Sequence, residues 1–333
     1  MTNIRKVAAH AGVSPSTVSR AFARPEVVAE EARRRVFAAA AELGYSPNPV
    51  ARSLAVGRTG NLGLILPDIA NPFFTPLIKE VQRAARRHEH ALFLADSDEQ
   101  VREERELALA MARQVDGLVL ASSRLPEADI RAVMALTPVV TVSRDLDGVP
   151  AVLTPSDQGL GQAVEHLAAL GHRRLAYLGG PTESYVTPER HRALHRAAER
   201  SGIEVADLGP FQPRFEAGVR AGDLVLAERV TAAVAYNDQI ALGVMSRLRE
   251  RGVRVPDDVS VVGIDDSWIA PMALPALTSV RVPVGRAGAA AVRMLVDLVG
   301  PGAGADGPSD EAALRETLAT ELIVRASTGP VPR

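Results

Sequence analysis

The chain of 333 residues contains no cysteine. This excludes disulfides, thiolate metal sites and cysteine nucleophiles, and it fits a reducing compartment. Long apolar runs are also missing: stretches such as Ala232–Ala235 are far too short to span a bilayer. The first residues, MTNIRKVAAH, lack the apolar core of a signal peptide. A cytoplasmic protein without a membrane partner is expected. With 47% apolar residues, packed cores can form without cross-links, and the length predicts two or three soluble domains.

Excess charge of either sign is scarce overall, at a net −2, but it is unevenly placed. Residues 1–60 carry nine Lys and Arg against four Asp and Glu, a net +5, which leaves −7 for the remainder. A basic head on an acidic body points to a polyanion that only the head touches, the alternative being chance clustering on a solvated surface.

Within the head, Ile4, Val7, Ala8 and Ala11 recur at helical spacing, and Gly12 stands where a helix ends. After the turn Gly12-Val13-Ser14, Ser14 is placed to cap a second helix with Pro15 in its first turn. A third helix is predicted over residues 30–43, with Gly44 as its stop. This is the pattern of a helix-turn-helix, the alternative being a small helical bundle that docks protein. In a helix-turn-helix the second helix enters the major groove, so Pro15, Ser16, Ser19 and Arg20 face the bases. Arg20 has the fork that pairs with guanine. Asn3, Arg5 and Thr17 are placed as phosphate contacts, which set register.

Residues 46–57, SPNPVARSLAVG, encode one more helix, with Asn48 as cap, Pro49 at its first position and Gly57 as stop. Eight residues make only a marginal helix in water, so it needs a surface to form on. Leu54 projects beside Ala51 and Ala55, and two uses are open: a wedge between base steps, or packing on the following domain.

The stretches VAAHAGVSPSTVSRAF and ELGYSPNPVARSLAVGRTG resemble the lactose-repressor (LacI/GalR) family of bacterial transcription factors. The likeness continues through LGLILPDIANPFF, VDGLVL, AVEHLAALGHRRLAYLGG, YNDQIALGVMSRLRERGVRVPDDVSVVGIDD and PALTSVRVPV. The resemblance implies a homodimer on a near-palindromic operator in double-stranded DNA, with Ser16 and Arg20 reading bases. It also implies paired hinge helices in the central minor groove, with Leu54 as the wedge and Asn48 and Ala51 among the contacts. The implied fold is an N-terminal all-α head joined by a hinge helix to an α/β, periplasmic-binding-protein-like body of two doubly wound lobes. The boundaries are 1–46 for the head, 47–59 for the hinge and 60–333 for the body. Lobe one takes about 60–158 and 283–300, and lobe two about 159–281 and 313–333.

The body's own pattern agrees, because short apolar runs alternate with amphipathic stretches, as in βαβ units. Strands are predicted near 62–66, 91–94, 117–120, 139–142, 175–178, 232–235, 260–263 and 322–325. Ligands in such sheets bind beyond the carboxyl ends of the strands. Those positions hold Asp68, Asn71, Phe73, Phe74, Arg144, Asn237, Asp238, Asp265 and Asp266, a mixture suited to a ligand with several hydroxyls or ring nitrogens. The resemblance places Phe73, Arg190, Asn237 and Asp265 at the effector site, and the expected effector is a sugar. Phe211 and Trp268 are candidates either for a stacking face or for packing. Pro155-Ser156, Ala193-Leu194 and Ser143 depart from the family's pattern, so effector identity does not carry over, nor does the sign of its effect. Residues 301–310, PGAGADGPSD, read as a loop, and with no leucine heptad after it the resemblance implies a dimer.

Other signals are weaker. His191 and His195 lie one turn apart on a predicted helix, but no third metal ligand is evident nearby in the sequence, so no metal or cofactor is expected. Asp265 and Asp266 have no nucleophile beside them, and Gly179-Gly180 lacks phosphate-loop spacing, so catalysis is not expected. A sugar-binding protein or sugar enzyme of the same lobed fold is the rival reading; it fails on the basic helix-turn-helix and the missing signal peptide.

Overall fold

A glycine closes the first helix: Gly12 takes up a left-handed conformation (φ 62°), and the backbone N–H at this cap returns to the carbonyls of Ala8 and Ala9. The computed structural model describes residues 3–23, 25–45, 58–300 and 314–332, which fall into two units. The first unit holds α1 (Ile4–Ala11), α2 (Pro15–Ala23) and α3 (Glu30–Glu42). Asn3 caps α1 by accepting from the Lys6 N–H at 3.1 Å, and Ser14 caps α2 by accepting from the Thr17 N–H at 3.1 Å. Val7, Ala8, Ala11, Val18, Ala21 and Val36 meet in one small core. Phe22 packs edge-on against Phe37, with ring centroids 5.1 Å apart. The same unit includes Asp116, whose carboxylate accepts from the N–H groups of Thr59 and Gly60 at 2.6 and 2.8 Å.

The second unit is built on two six-stranded sheets. The first contains β1 (Asn61–Leu66), β2 (Ala91–Asp96), β3 (Gly117–Ala121), β4 (Val139–Val142), β5 (Ala151–Leu153) and β11 (Arg315–Thr317), in the order β11-β5-β4-β3-β1-β2. The second contains β6 (Arg174–Leu178), β7 (Glu204–Leu208), β8 (Ala232–Ala235), β9 (Ser260–Asp265), β10 (Thr278–Arg281) and β12 (Glu321–Ile323), in the order β12-β10-β9-β8-β6-β7. Strand β10 meets β12 antiparallel, whereas β6, β8 and β9 run parallel to their neighbours. The central strands β3, β8 and β9 are buried along their whole length, because helices cover both faces of a parallel sheet.

Those helices are α4 (Phe74–Arg87), α5 (Val101–Met111), α6 (Glu127–Met134), α7 (Asp157–Ala169), α8 (Val186–Ser201), α9 (Phe215–Ala227), α10 (Asp238–Glu250) and α11 (Val284–Val299). Helices α9 and α10 approach backbone to backbone. A Cβ at Gly218 would collide with the Ile240 carbonyl, and one at Gly243 with the Phe215 carbonyl, so glycine is required at this crossing.

The chain passes between the halves three times: after β5, after β10 and after β11. The passages are tied together, since the Leu318 N–H donates to the Leu153 carbonyl at 2.8 Å and the Thr320 hydroxyl to the Pro155 carbonyl at 3.0 Å. Here the expected boundaries need correction. Residues 313–333 were expected wholly in lobe two, yet β11 pairs with β5 in the first sheet, Arg315 opposite Ala151. The pattern Arg-Glu-Thr carries no apolar signal, so this strand is invisible without its partner. The short strands β5, β7 and β10 also escape the sequence pattern. The expected hinge helix over 49–56 and the loop 301–310 lie outside the described residues.

Candidate functional site

In the head, Val18 and Ala21 bury one face of α2, which turns Pro15, Ser16 and Arg20 outward and leaves Thr17 and Ser19 half-buried. Arg20 lies along its own helix, its Nε donating to the Ser16 carbonyl at 3.2 Å. The hydroxyls of Ser14, Ser16 and Thr17 interlink, at 2.8 and 2.9 Å from Ser14 Oγ. Asn3 is engaged as the cap of α1, and Arg5 is exposed. The exposed surface of α2 thus offers hydroxyls and one extendable guanidinium, a donor and acceptor set that suits base edges. Asn48, Ala51 and Leu54 lie outside the described residues.

In the body, a cleft of about 480 Å³, open solvent at its mouth included, lies where the strand ends of the two sheets converge. Phe73, Phe74, Arg190, Asn237 and Asp265 all line it. Arg190 leaves α8 to donate from Nη1 to the Tyr236 carbonyl at 2.6 Å, and its guanidinium stacks over the Tyr236 ring at 4.7 Å. Its Nη2 stands 3.6 Å from Asp265 Oδ1, and its Nε is buried with no hydrogen-bond partner among the described residues. Burial pushes the Asp265 carboxyl well above the ordinary carboxylate range, against the opposing pull of Arg190. Asn237 caps α10, accepting from the Ile240 N–H at 2.9 Å, while its amide donates to the Pro213 carbonyl at 3.1 Å. Phe73 and Phe74 meet edge to face, with centroids 4.9 Å apart, as an apolar wall.

Four other candidates stand elsewhere. Asp68 turns back to accept from the Ala70 N–H at 2.8 Å, closing the loop after β1. Arg144 is buried beside the cleft, donating to the Ser123 carbonyl at 3.0 Å and lying 5.7 Å from the Tyr185 ring centroid. Phe211 packs against the core formed by β6, β8 and α10, so of its two readings the packing one matches its position. Trp268 is 56% exposed and does not line the cleft.

The sequence reading missed Glu99, Ser122, Arg124, Thr154, Val186, Pro213, Tyr236 and Val282, which complete the lining, and it noted Asn71 and Ser143 without assigning them. Arg124 and Glu99 form a buried pair, Nη2 to Oε2 at 2.7 Å. One physical signal marks part of the lining, Glu99 and Ser122 among the missed residues. Among the described residues, eight that are not glycine have positive φ, and Glu99, Ser122, Ser143 and Asp265, half of them, line the cleft. Strained backbone of this kind gathers at binding sites, but φ is not legible in a sequence. Asp238, noted beside Asn237, faces inward and accepts from Ser279 Oγ at 2.5 Å and from the Ser267 N–H at 2.7 Å.

Comparison with known proteins matches residues 3–48 to the bacterial regulatory proteins of the lacI family and residues 164–328 to a periplasmic binding protein-like domain. A ribose operon repressor of Halalkalibacterium halodurans is 32% identical, covering 98% of this chain and 97% of its own. The transcriptional repressor CytR of Escherichia coli is 32% identical over 99% of this chain and 97% of its own. Among solved structures, the lac repressor dimer bound to operator and an anti-inducer aligns with TM-score 0.84 at 27% identity, covering 98% of this chain and 99% of its own. A complex of the regulator CelR with cellobiose aligns with TM-score 0.70 at 31% identity, covering 98% and 100%.

Proposed function

Because the chain belongs to the LacI family of bacterial regulatory proteins, we propose that it is a repressor controlled by a sugar bound between the halves of its body. The observation that carries this reading is the incompletely paired Arg190 and Asp265, buried 3.6 Å apart in a cleft of a chain whose head is a LacI-type helix-turn-helix. A sugar hydroxyl donates to Asp265 and accepts from Arg190, supplying the bonds this pair lacks. Asn71, Ser143 and Thr154 offer further polar groups, and Phe73 and Phe74 an apolar face. Similar proteins include a ribose operon repressor and a regulator in complex with cellobiose, which supports a sugar.

The head binds a near-palindromic operator as part of a homodimer, with Pro15, Ser16, Ser19 and Arg20 toward the bases and Asn3, Arg5 and Thr17 toward phosphates. Exposed Phe93 and Leu94 on β2, and Met272 and Leu274 after β9, are apolar surface that a second copy covers. Such a regulator works in the cytoplasm, and among the described residues no helix is long and apolar enough to cross a membrane. Effector binding shifts the arrangement of the two halves and thereby the stability of the hinge segment over 49–56, with Leu54 wedged into the operator's central step. A coupling of about 1–3 kcal/mol changes operator affinity about 5- to 150-fold.

The test is a titration of a panel of mono- and disaccharides by calorimetry, followed by operator binding with and without each ligand. One sugar that binds and shifts operator affinity supports the reading; a protein that binds operator but responds to none of the panel overturns the sugar assignment. Arg20→Ala is expected to lose about 1–3 kcal/mol of discrimination at a single base-pair position. Equal weakening on all sequences removes it from base reading.

A further inference from the structure

We propose that His191, His195 and Asp207 form a binding site for a divalent transition-metal ion of the zinc class on the surface of the second half of the body. The two histidines sit one turn apart on α8 with ring centroids 4.2 Å apart. The third ligand, not evident from sequence proximity, is Asp207 on β7. It lies opposite Tyr177 in the parallel pairing of β6 with β7, so both side chains rise from the same face of the sheet toward α8. Both imidazole Nε2 atoms converge on one carboxylate oxygen, at 3.3 Å from His191 and 3.0 Å from His195. All three ligand atoms lie within 4.8 Å of one another. An ion with bonds of about 2.0–2.2 Å in tetrahedral geometry holds its ligand atoms roughly 3.3–3.5 Å apart, so the two separations from Asp207 need little adjustment.

Two neutral imidazoles and one carboxylate are the donor set for zinc, nickel, cobalt or copper; calcium and magnesium take oxygen donors. To bind, each histidine turns its Nε2 lone pair to the ion and carries its proton on Nδ1. The Tyr177 ring packs edge-on to His191 at 6.0 Å between centroids and limits its rotation. The three ligands are each 36–48% exposed, which leaves access for the ion and room for a water as fourth ligand. Of the nearby charged groups, Arg196 is already held by Asp157, while Arg192 and the carboxylate of Glu199 share the rim. The site has a consequence beyond itself: Arg190 precedes His191 on the same helix, so an ion that joins α8 to β7 steadies the helix that carries Arg190 into the cleft.

The experiment uses the full-length chain free of any polyhistidine tag. Zn(II) and Ni(II) are titrated calorimetrically, Co(II) binding is followed by its visible absorption, and Tm is read with and without ion. One ion per chain is expected, with Tm raised by roughly 5 °C at a hundredfold excess over Kd and restored by EDTA. Asp207→Asn, which keeps the side chain's size, and the double variant His191→Ala/His195→Ala should weaken binding at least tenfold while the far-ultraviolet circular dichroism stays unchanged. Unaltered affinity in the double variant overturns the assignment, as does wild-type binding weaker than millimolar. These readouts need neither operator nor sugar, so they stand or fall apart from the proposed regulatory function.

Discussion

Each half of the body brings one buried arginine–carboxylate pair to the cleft, and the two pairs are built differently. In the first half, Arg124 spends its whole fork. Nε and Nη2 reach Glu99 at 2.9 and 2.7 Å, and Nη1 donates to the Ser122 carbonyl at 2.7 Å. In the second half, Arg190 bonds the Tyr236 carbonyl at 2.6 Å, leaves Nε without a partner among the described residues, and stands 3.6 Å from Asp265. The same residue types therefore do different work. A saturated pair holds the wall of a cleft, whereas a pair with bonding capacity to spare gains from a ligand, since buried polar groups without partners are costly.

Breaking the saturated pair should have the largest effect. Arg124→Met removes the cation beside buried Glu99, whose carboxyl is already pushed up by burial, and leaves buried Glu104 with one cation fewer. The expected loss is about 3–5 kcal/mol in urea unfolding; a loss under about 1 kcal/mol would erase the contrast between the pairs. Asp265→Asn should instead act on ligand. Burial already favours the neutral form there, so the fold is retained, while effector affinity falls about 10- to 100-fold by calorimetry, because the amide places a donor where a carboxyl oxygen faced the ligand and leaves a buried hydrogen-bonding group unsatisfied. Asp238 sharpens the comparison, because among the described residues its partners are Ser267 and Ser279 and no cation, and burial raises its pKa to about 6. A carboxyl with a raised folded pKa binds more protons in the native state. Its contribution is therefore fully present below about pH 4 and is lost as pH rises through about 6, on the order of 3 kcal/mol. Stability measured across this window in Asp238→Asn should lack that slope. The smallest effect belongs to Arg214, 45% exposed, which reaches across from before α9 to Asp98 at 2.5 Å. Arg214→Ala should cost less than about 1 kcal/mol and alter effector affinity less than fivefold.

The head was readable nearly residue by residue, because its signals are local: Ser14 as a cap, Gly12 as a left-handed stop, and apolar residues at helical spacing. The cleft was readable only in part. Phe73, Asn237 and Asp265 announce themselves as polar or aromatic residues just beyond apolar runs. Arg124 and Glu99 look like any surface pair until two βα loops bring them together, and Trp268 looks like a stacking face until its exposure is known. The two histidines on α8 were visible as a pair, but Asp207 joins them only because β7 lies beside β6.

By itself the sequence determined the division into a basic head and an acidic α/β body, the helices and the central buried strands, and the residue types available at the ends of those strands. Helical and strand periods and caps act over a few residues, so they are written locally. Only the tertiary structure decided that β11 returns to the first sheet, which arginine is saturated and which is not, and where positive φ gathers. Those outcomes depend on groups far apart in the chain competing for the same hydrogen-bond partners, and that competition is resolved only when the sheets and loops are in place.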